Sequence, residues 1–183
     1  MAAARRASAP LLLLFSLLLF SSAEGAGAGT PGGGDGRATH LHFYFHELFS
    51  GGPNGTTAEV SPARSGNQNG SFFGLVSVVD DMLREGAGPA SRLLGRAQGL
   101  TAGASLTDGA ILTVLNFVFT DGPYNGSTLA VLGRALLGAV MERPIVGGTG
   151  AFRMARGYTL SKMVDSPDPE NLLILEYDAY VWH

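Results

Sequence analysis

The apolar residues of this chain occur in short runs, and this pattern restricts the chain to a fold built from β-strands. No stretch longer than about a dozen residues keeps the 3.6-residue apolar spacing of an amphipathic helix. Clusters of Gly, Pro, Asn and Asp separate the runs and are typical of turns. Many short strands at near-regular spacing indicate an all-β barrel or sandwich, and a barrel also removes exposed strand edges. The predicted strand segments are 41–49, 58–60, 72–81, 92–100, 111–119, 127–132, 144–146, 155–164 and 172–182.

Two stretches are apolar on both faces of the predicted strand. Residues 75–79, "LVSVV", are almost wholly apolar, and segment 111–119 has only Thr113 and Asn116 as polar members. An isolated barrel carries polar residues on its outer wall, where it meets water. A second subunit that covers this wall would explain the apolar pattern, so the sequence predicts a homo-oligomer.

The N-terminus has the pattern of a secretory signal peptide. Two arginines precede the apolar run 11–20, and the small residues Ser21 and Ala23 follow it. A helix that spans a bilayer needs roughly 20 apolar residues, so the short run disfavours the alternative of an uncleaved anchor helix. The predicted organisation is a signal peptide over residues 1–23, a Gly-rich flexible leader over residues 24–39 and one folded domain over residues 40–183.

The composition excludes several classes of function. Without the two arginines of the signal peptide, ten basic residues remain against fifteen acidic ones, a net charge of about −5. A chain with this charge does not suit nucleic acid or an anionic membrane surface as a partner. The chain has no cysteine, which excludes iron–sulfur, cysteine-zinc and thiol redox chemistry.

Three N-x-[ST] sequons lie in Gly-containing turn sequence, at Asn54, Asn69 and Asn125. A single sequon is weak evidence, but three sequons behind a signal peptide predict a secreted glycoprotein. Because a chain without cysteine forms no disulfide, its stability depends on the core, on glycans or on oligomerisation.

Glu47 lies on the apolar face of the first predicted strand, where burying a charge is costly. Its face also carries Leu41, Phe43, Phe45 and Phe49. If this face lines the barrel interior, burial would raise the pKa of the Glu47 carboxyl and keep it protonated, so that it could donate a proton to a bound ligand. A β-bulge or the strand end would instead turn Glu47 to solvent.

Asp80 is a second candidate acid. It has the strand parity of Val76 and Val78, so it could face the barrel interior and pair with Glu47 around a ligand. Alternatively, Asp80 and Asp81 together begin a turn before Met82.

Five other basic side chains have structural explanations. Arg96 and Arg156 lie in Gly-flanked segments, and arginines inside a barrel usually pair with carboxylates because an unpaired buried charge is costly. His40, His42 and His46 share one strand face, but a strand separates positions i and i+4 by about 13 Å. The sequence therefore predicts surface or interface imidazoles and no metal site.

Five sequence motifs and a closing strand, in this order, resemble the plant dirigent protein family. The resemblance covers residues 41–183 and is more specific than any single motif. The matching stretches are "FYFHEL" (43–48), "FGLVSVVDD" (73–81), "LGRAQGL" (94–100), "LNFVFTDGPYNGSTLAVLGR" (115–134), "PIVGGTGAFRMARGY" (144–158) and "ILEYDAYVWH" (174–183).

This resemblance implies an eight-stranded antiparallel β-barrel similar to allene oxide cyclase, assembled as a trimer or dimer and secreted to the plant cell wall space, the apoplast. It implies stereochemical control over phenoxy radicals, such as those of coniferyl alcohol, in phenylpropanoid and lignan biosynthesis. A separate oxidase, a laccase or peroxidase, would generate the radicals, and the protein would use no cofactor.

The chain departs from the members of this family that form pinoresinol. Those members have tyrosines after the third motif, an aspartate in the loop after the fourth and an arginine shortly before the fifth. The corresponding positions here are Thr101 and Gly103, Gly133 or Arg134, and Met141. Arg143, two residues after Met141 on the same strand face, is the candidate substitute for the family arginine. The chain therefore resembles a branch outside the pinoresinol-forming members, some of which resemble dehydrating cyclases.

Three functions follow from these observations. The first is stereodirected coupling of phenoxy radicals without oxidative activity of the protein itself. The alternative is an acid-assisted dehydratase or cyclase that acts on an isoflavonoid-type alcohol through a quinone methide, with Glu47 or Asp80 as the general acid and Arg143 in the site. The third is a wall protein that binds ligands without catalysis.

Overall fold

The computed structural model describes residues 38–49, 54–67 and 70–183. The predicted signal peptide, nearly all of the Gly-rich leader and the sequon residue Asn69 lie outside the described residues. Within the described residues, no helix is long and apolar enough to cross a membrane.

The folded domain consists of β-strands, as the short apolar runs predict. Each of the nine predicted segments coincides with one strand, in the same order along the chain. The strands are β1 (Ala38–Leu48), β2 (Thr57–Ser61), β3 (Val76–Arg84), β4 (Leu93–Gly103), β5 (Ala110–Phe119), β6 (Thr128–Leu136), β7 (Met141–Thr149), β8 (Arg156–Met163) and β9 (Leu172–Trp182). Two 3₁₀ turns, Gly122–Tyr124 and Gly150–Phe152, follow β5 and β7.

The strands form a closed antiparallel barrel. From β3 to β9 each strand pairs with the next along the chain, and β1 pairs with β9 along its whole length. The barrel closes where β1 also pairs with β3, between Tyr44 and Arg84 and between His46 and Met82. Eight strands, β1 and β3 to β9, therefore make the barrel, which confirms the predicted fold class.

The short strand β2 completes the seam between β1 and β3. Beyond His46 these two strands no longer pair, and β2 lies against β3 with Thr57 opposite Val79. The residue before β2, Thr56, joins both neighbours: its N–H donates to the Leu48 carbonyl at 2.9 Å, and its carbonyl accepts from the Asp80 N–H at 2.9 Å. The seam at this end of the barrel is therefore held by backbone bonds of β2 and Thr56.

One half of the barrel interior is filled by aromatic rings. Phe43 stacks on Tyr177 with ring centroids 5.3 Å apart, and Phe117 meets both rings edge-on. Phe119 and Phe152 continue this packing toward the barrel end where β1 begins. Such ring pairs add about 0.5–1.5 kcal/mol each beyond the area that they bury. This aromatic layer forms the floor under the open half of the interior.

The outer wall of the barrel carries an apolar row. Val78 lies opposite Leu100, Leu100 opposite Val114, and Val114 opposite Leu132, so the row crosses four neighbouring strands. Val78, Leu100 and Leu132 are 51%, 41% and 42% exposed in the single chain. The two-sided apolar pattern of the sequence thus corresponds to an exposed apolar row on the outer wall.

Candidate functional site

The open half of the barrel contains a cavity of about 430 Å³. Its position follows from strand alternation, because the inward residues at this end of β1, β3, β5, β7 and β9 line it above the aromatic floor. The apolar lining consists of Phe45, Phe49, Leu75, Val79, Ile111, Leu115, Ala135, Leu137, Met141, Met163, Leu173 and Leu175. The polar lining consists of Glu47, Thr57, Glu59, Ser77, Asp81, Thr101, Thr113, Arg143 and Tyr177. A mostly apolar cavity with a few polar groups is typical of a binding site for a small organic molecule.

Glu47 lies in this cavity, on the strand face that the sequence predicts. β1 continues through Leu48, and no bulge interrupts its pairing with β9 around Glu47. The Thr57 hydroxyl donates to Glu47 Oε1 at 2.6 Å. Burial is the main influence on this carboxyl and raises its pKa, while the Thr57 hydrogen bond acts in the opposite direction. The side chain is placed to exchange a proton with a bound molecule.

Asp81, and not Asp80, is the second acid of the cavity. Asp81 is fully buried, and the Thr56 hydroxyl donates to its Oδ1 at 2.5 Å. Its other oxygen, Oδ2, has no hydrogen-bond partner among the described residues. Burial first, and the nearby Glu47 charge second, raise the pKa of Asp81 to about 8. Asp81 is therefore a neutral carboxylic acid at neutral and acidic pH.

The prediction that Asp80 faces the interior is wrong. Asp80 is exposed on the outer wall, where Arg96 Nε donates to its Oδ1 at 2.9 Å. The Arg96 hydrogen bond lowers the pKa of Asp80. The alternative, a turn at Asp80 and Asp81, is also wrong, because β3 continues to Arg84. In this strand the inward set includes Val79 and Asp81, so alternation sends Asp80 outward.

A signal for Asp81 was present in the sequence. Val79, Asp81 and Leu83 share one parity, and the flanking members of this set are both apolar. An acid between two apolar residues of one strand face is the pattern that singled out Glu47. Interpreting the Asp-Asp pair as a turn signal leaves this alternation in β3 unused.

Arg143 forms a basic region of the same cavity. Its side chain is 2% exposed, and Nη2 donates to Ser161 Oγ at 2.7 Å and to the Tyr177 hydroxyl. Nη1 lies 3.4 Å from Thr113 Oγ1, and Nε has no partner in the described part of the chain. Among the described residues no carboxylate lies within 4.0 Å of the guanidinium. A buried cation without a paired carboxylate suits a ligand oxygen that is, or becomes, negatively charged.

Two positions at which the sequence departs from the pinoresinol-forming pattern lie at this cavity, and so does Gly133, which with Arg134 is one of the two candidates for the family aspartate position. Thr101 and Met141 line it. Gly133 lies beside the guanidinium side chain, since a Cβ added there would be 3.2 Å from Arg143 Cγ. A side chain at position 133 would therefore press on Arg143 and reshape the basic region.

The two other arginines lie outside the cavity. Arg96 pairs with Asp80, so the predicted structural ion pair is confirmed, although on the outer wall. The same prediction is wrong for Arg156, which is exposed and donates to the carbonyl oxygens of Val146 and Ala155, each at 2.8 Å.

The histidines of β1 occupy different environments. His40 Nε2 and His42 Nδ1 lie 2.8 and 3.0 Å from Asp178 Oδ1 on the outer wall. The prediction of a surface or interface imidazole is wrong for His46, which is 1% exposed and lies 3.2 Å from the Gly86 carbonyl. Burial lowers the pKa of His46. Within residues 38–49, 54–67 and 70–183, no cluster of three or more His, Cys, Asp or Glu side chains is arranged to hold a metal ion.

Two of the three sequon asparagines are in the described part of the chain. Asn54 and Asn125 are both exposed, as a glycan acceptor must be. Asn54 comes two residues before Thr56, so this sequon lies close to the seam that borders the cavity.

The cavity thus combines two chemical regions within an apolar lining. At one region the neutral Asp81 and the neighbouring Glu47 can donate and accept a proton. At the other, Arg143 and Tyr177 can stabilise an oxygen that develops negative charge. This combination suits proton chemistry on a phenolic molecule, with the apolar lining in contact with its rings.

Comparisons with known proteins point to one family. Residues 38–182 match the model of the family described as dirigent-like protein. The chain is 44% identical to dirigent protein 1 of Arabidopsis thaliana over 79% of each chain. It is 40% identical to pterocarpan synthase 1 of Glycyrrhiza echinata over 79% of this chain and 78% of that protein. The solved structure of the pterocarpan synthase dirigent protein GePTS1 superimposes with a TM-score of 0.72 at 40% identity, covering 80% of this chain and 85% of that chain.

Proposed function

Because the chain belongs to the dirigent-like protein family, we propose that it directs the stereochemistry of a reaction of small phenolic compounds in its barrel cavity. The reaction that the geometry supports best is acid-assisted dehydration of an isoflavonoid-type alcohol, followed by ring closure through a quinone methide. The observation that carries this proposal is that the cavity brings together the carboxyls of Glu47 and Asp81, of which Asp81 is fully buried and has one oxygen without a hydrogen-bond partner among the described residues.

The first step of the proposed reaction uses both regions of the cavity. Asp81 donates its proton to the hydroxyl oxygen of the alcohol, the C–O bond breaks and water leaves. The phenol oxygen of the substrate loses its proton to solvent and becomes the carbonyl of the quinone methide. Arg143 and Tyr177 stabilise the negative charge on this oxygen while the proton departs.

The second step closes the ring. The oxygen of another phenol hydroxyl adds to the methide carbon, and its proton returns to the Asp81 carboxylate. The carbonyl oxygen becomes a phenol again and takes back a proton from solvent. The net change is the loss of one water, and no oxidant or cofactor takes part. Glu47 assists by raising the proton affinity of Asp81 through its own charge.

Similarity to named relatives supports this reading. Two proteins named pterocarpan synthase 1, from Glycyrrhiza echinata and Glycine max, are 40% and 37% identical to the chain. The departures from the pinoresinol-forming pattern at Thr101 and Met141 also lie at the cavity, and Gly133, one of the two candidates for the family aspartate position, lies beside Arg143, so these residues would set the shape of the cavity.

Stereodirected coupling of phenoxy radicals is the second candidate. It is favoured by the 44% and 43% identity to dirigent proteins 1 and 21 of Arabidopsis thaliana and by the aromatic side chains of the cavity. In this function a separate laccase or peroxidase would supply the radicals, and the cavity would hold two of them in one relative orientation. Coupled monolignol radicals also pass through quinone methides, so the same acids would serve both reactions.

An assay with and without an external one-electron oxidant separates the two candidates. The dehydratase turns over a racemic isoflavonoid-type alcohol with a free phenol when no oxidant is present. We expect Asp81→Asn to lower kcat at least about a hundredfold, because general acid catalysis contributes about 10²–10⁴. Asp80→Asn, which changes a neighbouring carboxyl on the outer wall, should leave kcat unchanged. Product that forms only with oxidant and monolignols, with an enantiomeric excess, would favour radical coupling and contradict the dehydratase.

We further propose that the protein is secreted to the apoplast as a glycoprotein. The signal-peptide pattern of residues 1–23, the three sequons and the exposure of Asn54 and Asn125 support this location. Expression in plant cells should yield extracellular protein whose mobility increases after enzymatic removal of N-glycans. Retention inside the cell would contradict the proposal.

We also propose that the barrel is a homo-oligomer, a trimer or dimer. The exposed apolar row of Val78, Leu100, Val114 and Leu132 supports this, because a row of this kind costs free energy while it faces water. A second copy of the chain is the proposed partner for this part of the outer wall.

A further inference from the structure

We propose that Thr56 and Thr57 are positioning residues that determine which oxygen of each cavity carboxyl is free to exchange a proton with the ligand. This inference rests on the proposed acid chemistry of Asp81 and Glu47. It assigns a role to β2, the strand that is not part of the eight-stranded barrel, beyond filling the seam between β1 and β3.

The Thr56 hydroxyl is fixed from two sides. The Leu48 N–H donates to Thr56 Oγ1 at 2.9 Å, which occupies one lone pair of the hydroxyl oxygen. The single hydroxyl hydrogen then has two acceptors within reach, Asp81 Oδ1 at 2.5 Å and the Leu48 carbonyl at 3.4 Å. The shorter contact is the stronger one, so the hydrogen points to Asp81.

This arrangement decides where the acid proton of Asp81 resides. Oδ1 already accepts the Thr56 hydrogen, so a proton on the same oxygen would compete with that bond. The acid proton therefore sits on Oδ2, which has no hydrogen-bond partner in the described residues although it is fully buried. An unpartnered O–H at the cavity is available to a ligand hydroxyl and is costly to leave unpaired without one.

Thr57 acts on Glu47 as Thr56 acts on Asp81, by occupying one oxygen of the carboxyl. Its hydroxyl donates to Glu47 Oε1 at 2.6 Å and leaves Oε2 for the ligand. Consecutive residues of a strand point to opposite faces, but Thr56 precedes β2 and Thr57 begins it. The backbone bends at Thr56, which lets the two adjacent hydroxyls reach carboxyls on β3 and β1.

Both hydroxyls also act on the titration of the acids. The Thr56 hydrogen bond lowers the pKa of Asp81, and the Thr57 hydrogen bond lowers the pKa of Glu47. Removal of either hydroxyl should therefore raise the pKa of its partner. The charged and titratable groups around the pair are Glu47 on β1, Glu59 on β2, Asp80 on β3, Arg96 on β4, Arg143 on β7 and Tyr177 on β9.

The direct test is an infrared titration of the carboxylic acid C=O band in the purified protein without ligand. The wild-type protein should show a buried, protonated carboxyl that titrates near pH 8 and is missing in Asp81→Asn. In Thr56→Val the band should move to higher frequency, because its C=O oxygen loses a hydrogen bond, and should titrate at higher pH. Thr56→Ser, which keeps the hydroxyl, should restore both properties.

The kinetic constants of the proposed reaction provide a second measurement. With an isoflavonoid-type alcohol as the probe, Thr56→Val should lower kcat about tenfold with KM nearly unchanged, since one net hydrogen bond is lost at the acid and not at the substrate. The basic limb of its pH profile should shift to higher pH. Thr57→Val should raise the pKa of Glu47 and leave the Thr56 bond in place, which provides a second variant if Thr56→Val does not fold.

Thr56 is also part of a sequon, so the Thr56 variants require a matched control. Thr56 is the third residue of the Asn54-Gly55-Thr56 sequon, so Thr56→Val also removes the signal for a glycan on Asn54. Asn54→Gln removes the acceptor alone and should leave the infrared band and the pH profile unchanged. Thr56→Ser keeps the sequon as well as the hydroxyl.

The outcomes distinguish this inference from the proposed function. The positioning role would be overturned by a folded Thr56→Val protein with an unchanged Asp81 band and titration, together with a folded Thr57→Val protein with an unchanged Glu47 titration, even if Asp81→Asn is inactive. A wild-type protein with no protonated carboxyl assignable to Asp81 above pH 6 would instead contradict the acid chemistry on which the inference rests.

Discussion

At the residue scale, Asp80 and Asp81 show how one step along a strand changes the chemistry of a carboxyl. Asp80 faces solvent and is bonded to Arg96, which lowers its pKa. Asp81 faces the interior, where burial and the Glu47 charge raise its pKa to about 8. The sequence was sufficient to place Glu47, because its apolar neighbours reveal its face. It was not sufficient to place Asp81, since an Asp-Asp pair is also a common turn signal.

The titration of Asp81 makes stability depend on pH. Between about pH 4, where an unfolded aspartate ionises, and about pH 8, the folded state holds a proton that the unfolded state has released. The free energy of unfolding should therefore fall as the pH rises through this window, by at most about 1.4 kcal/mol per pH unit from this group. Urea unfolding from pH 5 to pH 8.5 measures this dependence. Asp81→Asn should make the decline in the free energy of unfolding smaller.

Asp80→Asn is the control for this measurement. The pH dependence of stability that Asp80 contributes has the opposite sign to that of Asp81. A carboxyl with a lowered pKa stabilises the folded state above its unfolded pKa, and this stabilisation is lost as the pH falls. Asp80→Asn should therefore lower the free energy of unfolding only slightly, and because it retains Asp81 it should show the same decline toward pH 8 as the wild-type protein. An Asp81→Asn protein with the same pH dependence as the wild type would show that Asp81 ionises normally in the fold.

At the element scale, most of the fold could be predicted and most of the site could not. Alternation and turn residues locate nine strands, but they do not say where β3 ends or which strands meet at the seam. The position of Arg143 beside Tyr177 depends on the register between β7, β8 and β9, which involves residues 34 positions apart in sequence. Short-range patterns carry no information about such pairings, whereas the family resemblance does.

The close packing of β4 against β5 makes Gly99 sensitive to substitution. Gly99 of β4 lies so near β5 that an added Cβ would be 2.0 Å from the Val114 carbonyl oxygen. Gly99→Ala should therefore force the strands apart and lower the free energy of unfolding by about 1–3 kcal/mol. Gly147→Ala is the matched control, because no heavy atom lies within 4 Å of a Cβ added there. Equal denaturation midpoints for the two variants would contradict the close approach of β4 and β5.

At the scale of the whole molecule, the apolar row on the outer wall predicts how the barrel associates. Leu100→Glu places a charge in the middle of this row and should shift the proposed oligomer toward monomer in sedimentation velocity experiments. Leu106→Glu is the control, since Leu106 is exposed in the loop before β5 and lies outside the row. A wild-type protein that is monomeric at high micromolar concentration, or a Leu100→Glu variant with unchanged assembly, would contradict the proposed interface.

In the proposed reaction, the acidic and basic regions of the cavity act together on one phenolic molecule. The most direct test is a crystal structure with an unreactive ketone analogue of the isoflavonoid-type alcohol, in which no hydroxyl can leave. We predict that its carbonyl oxygen lies within hydrogen-bond distance of Asp81 Oδ2 and its phenol oxygen within reach of Arg143. An analogue bound on the outer wall, or bound in the cavity with its oxygens turned away from Asp81, would contradict the joint action of the two regions.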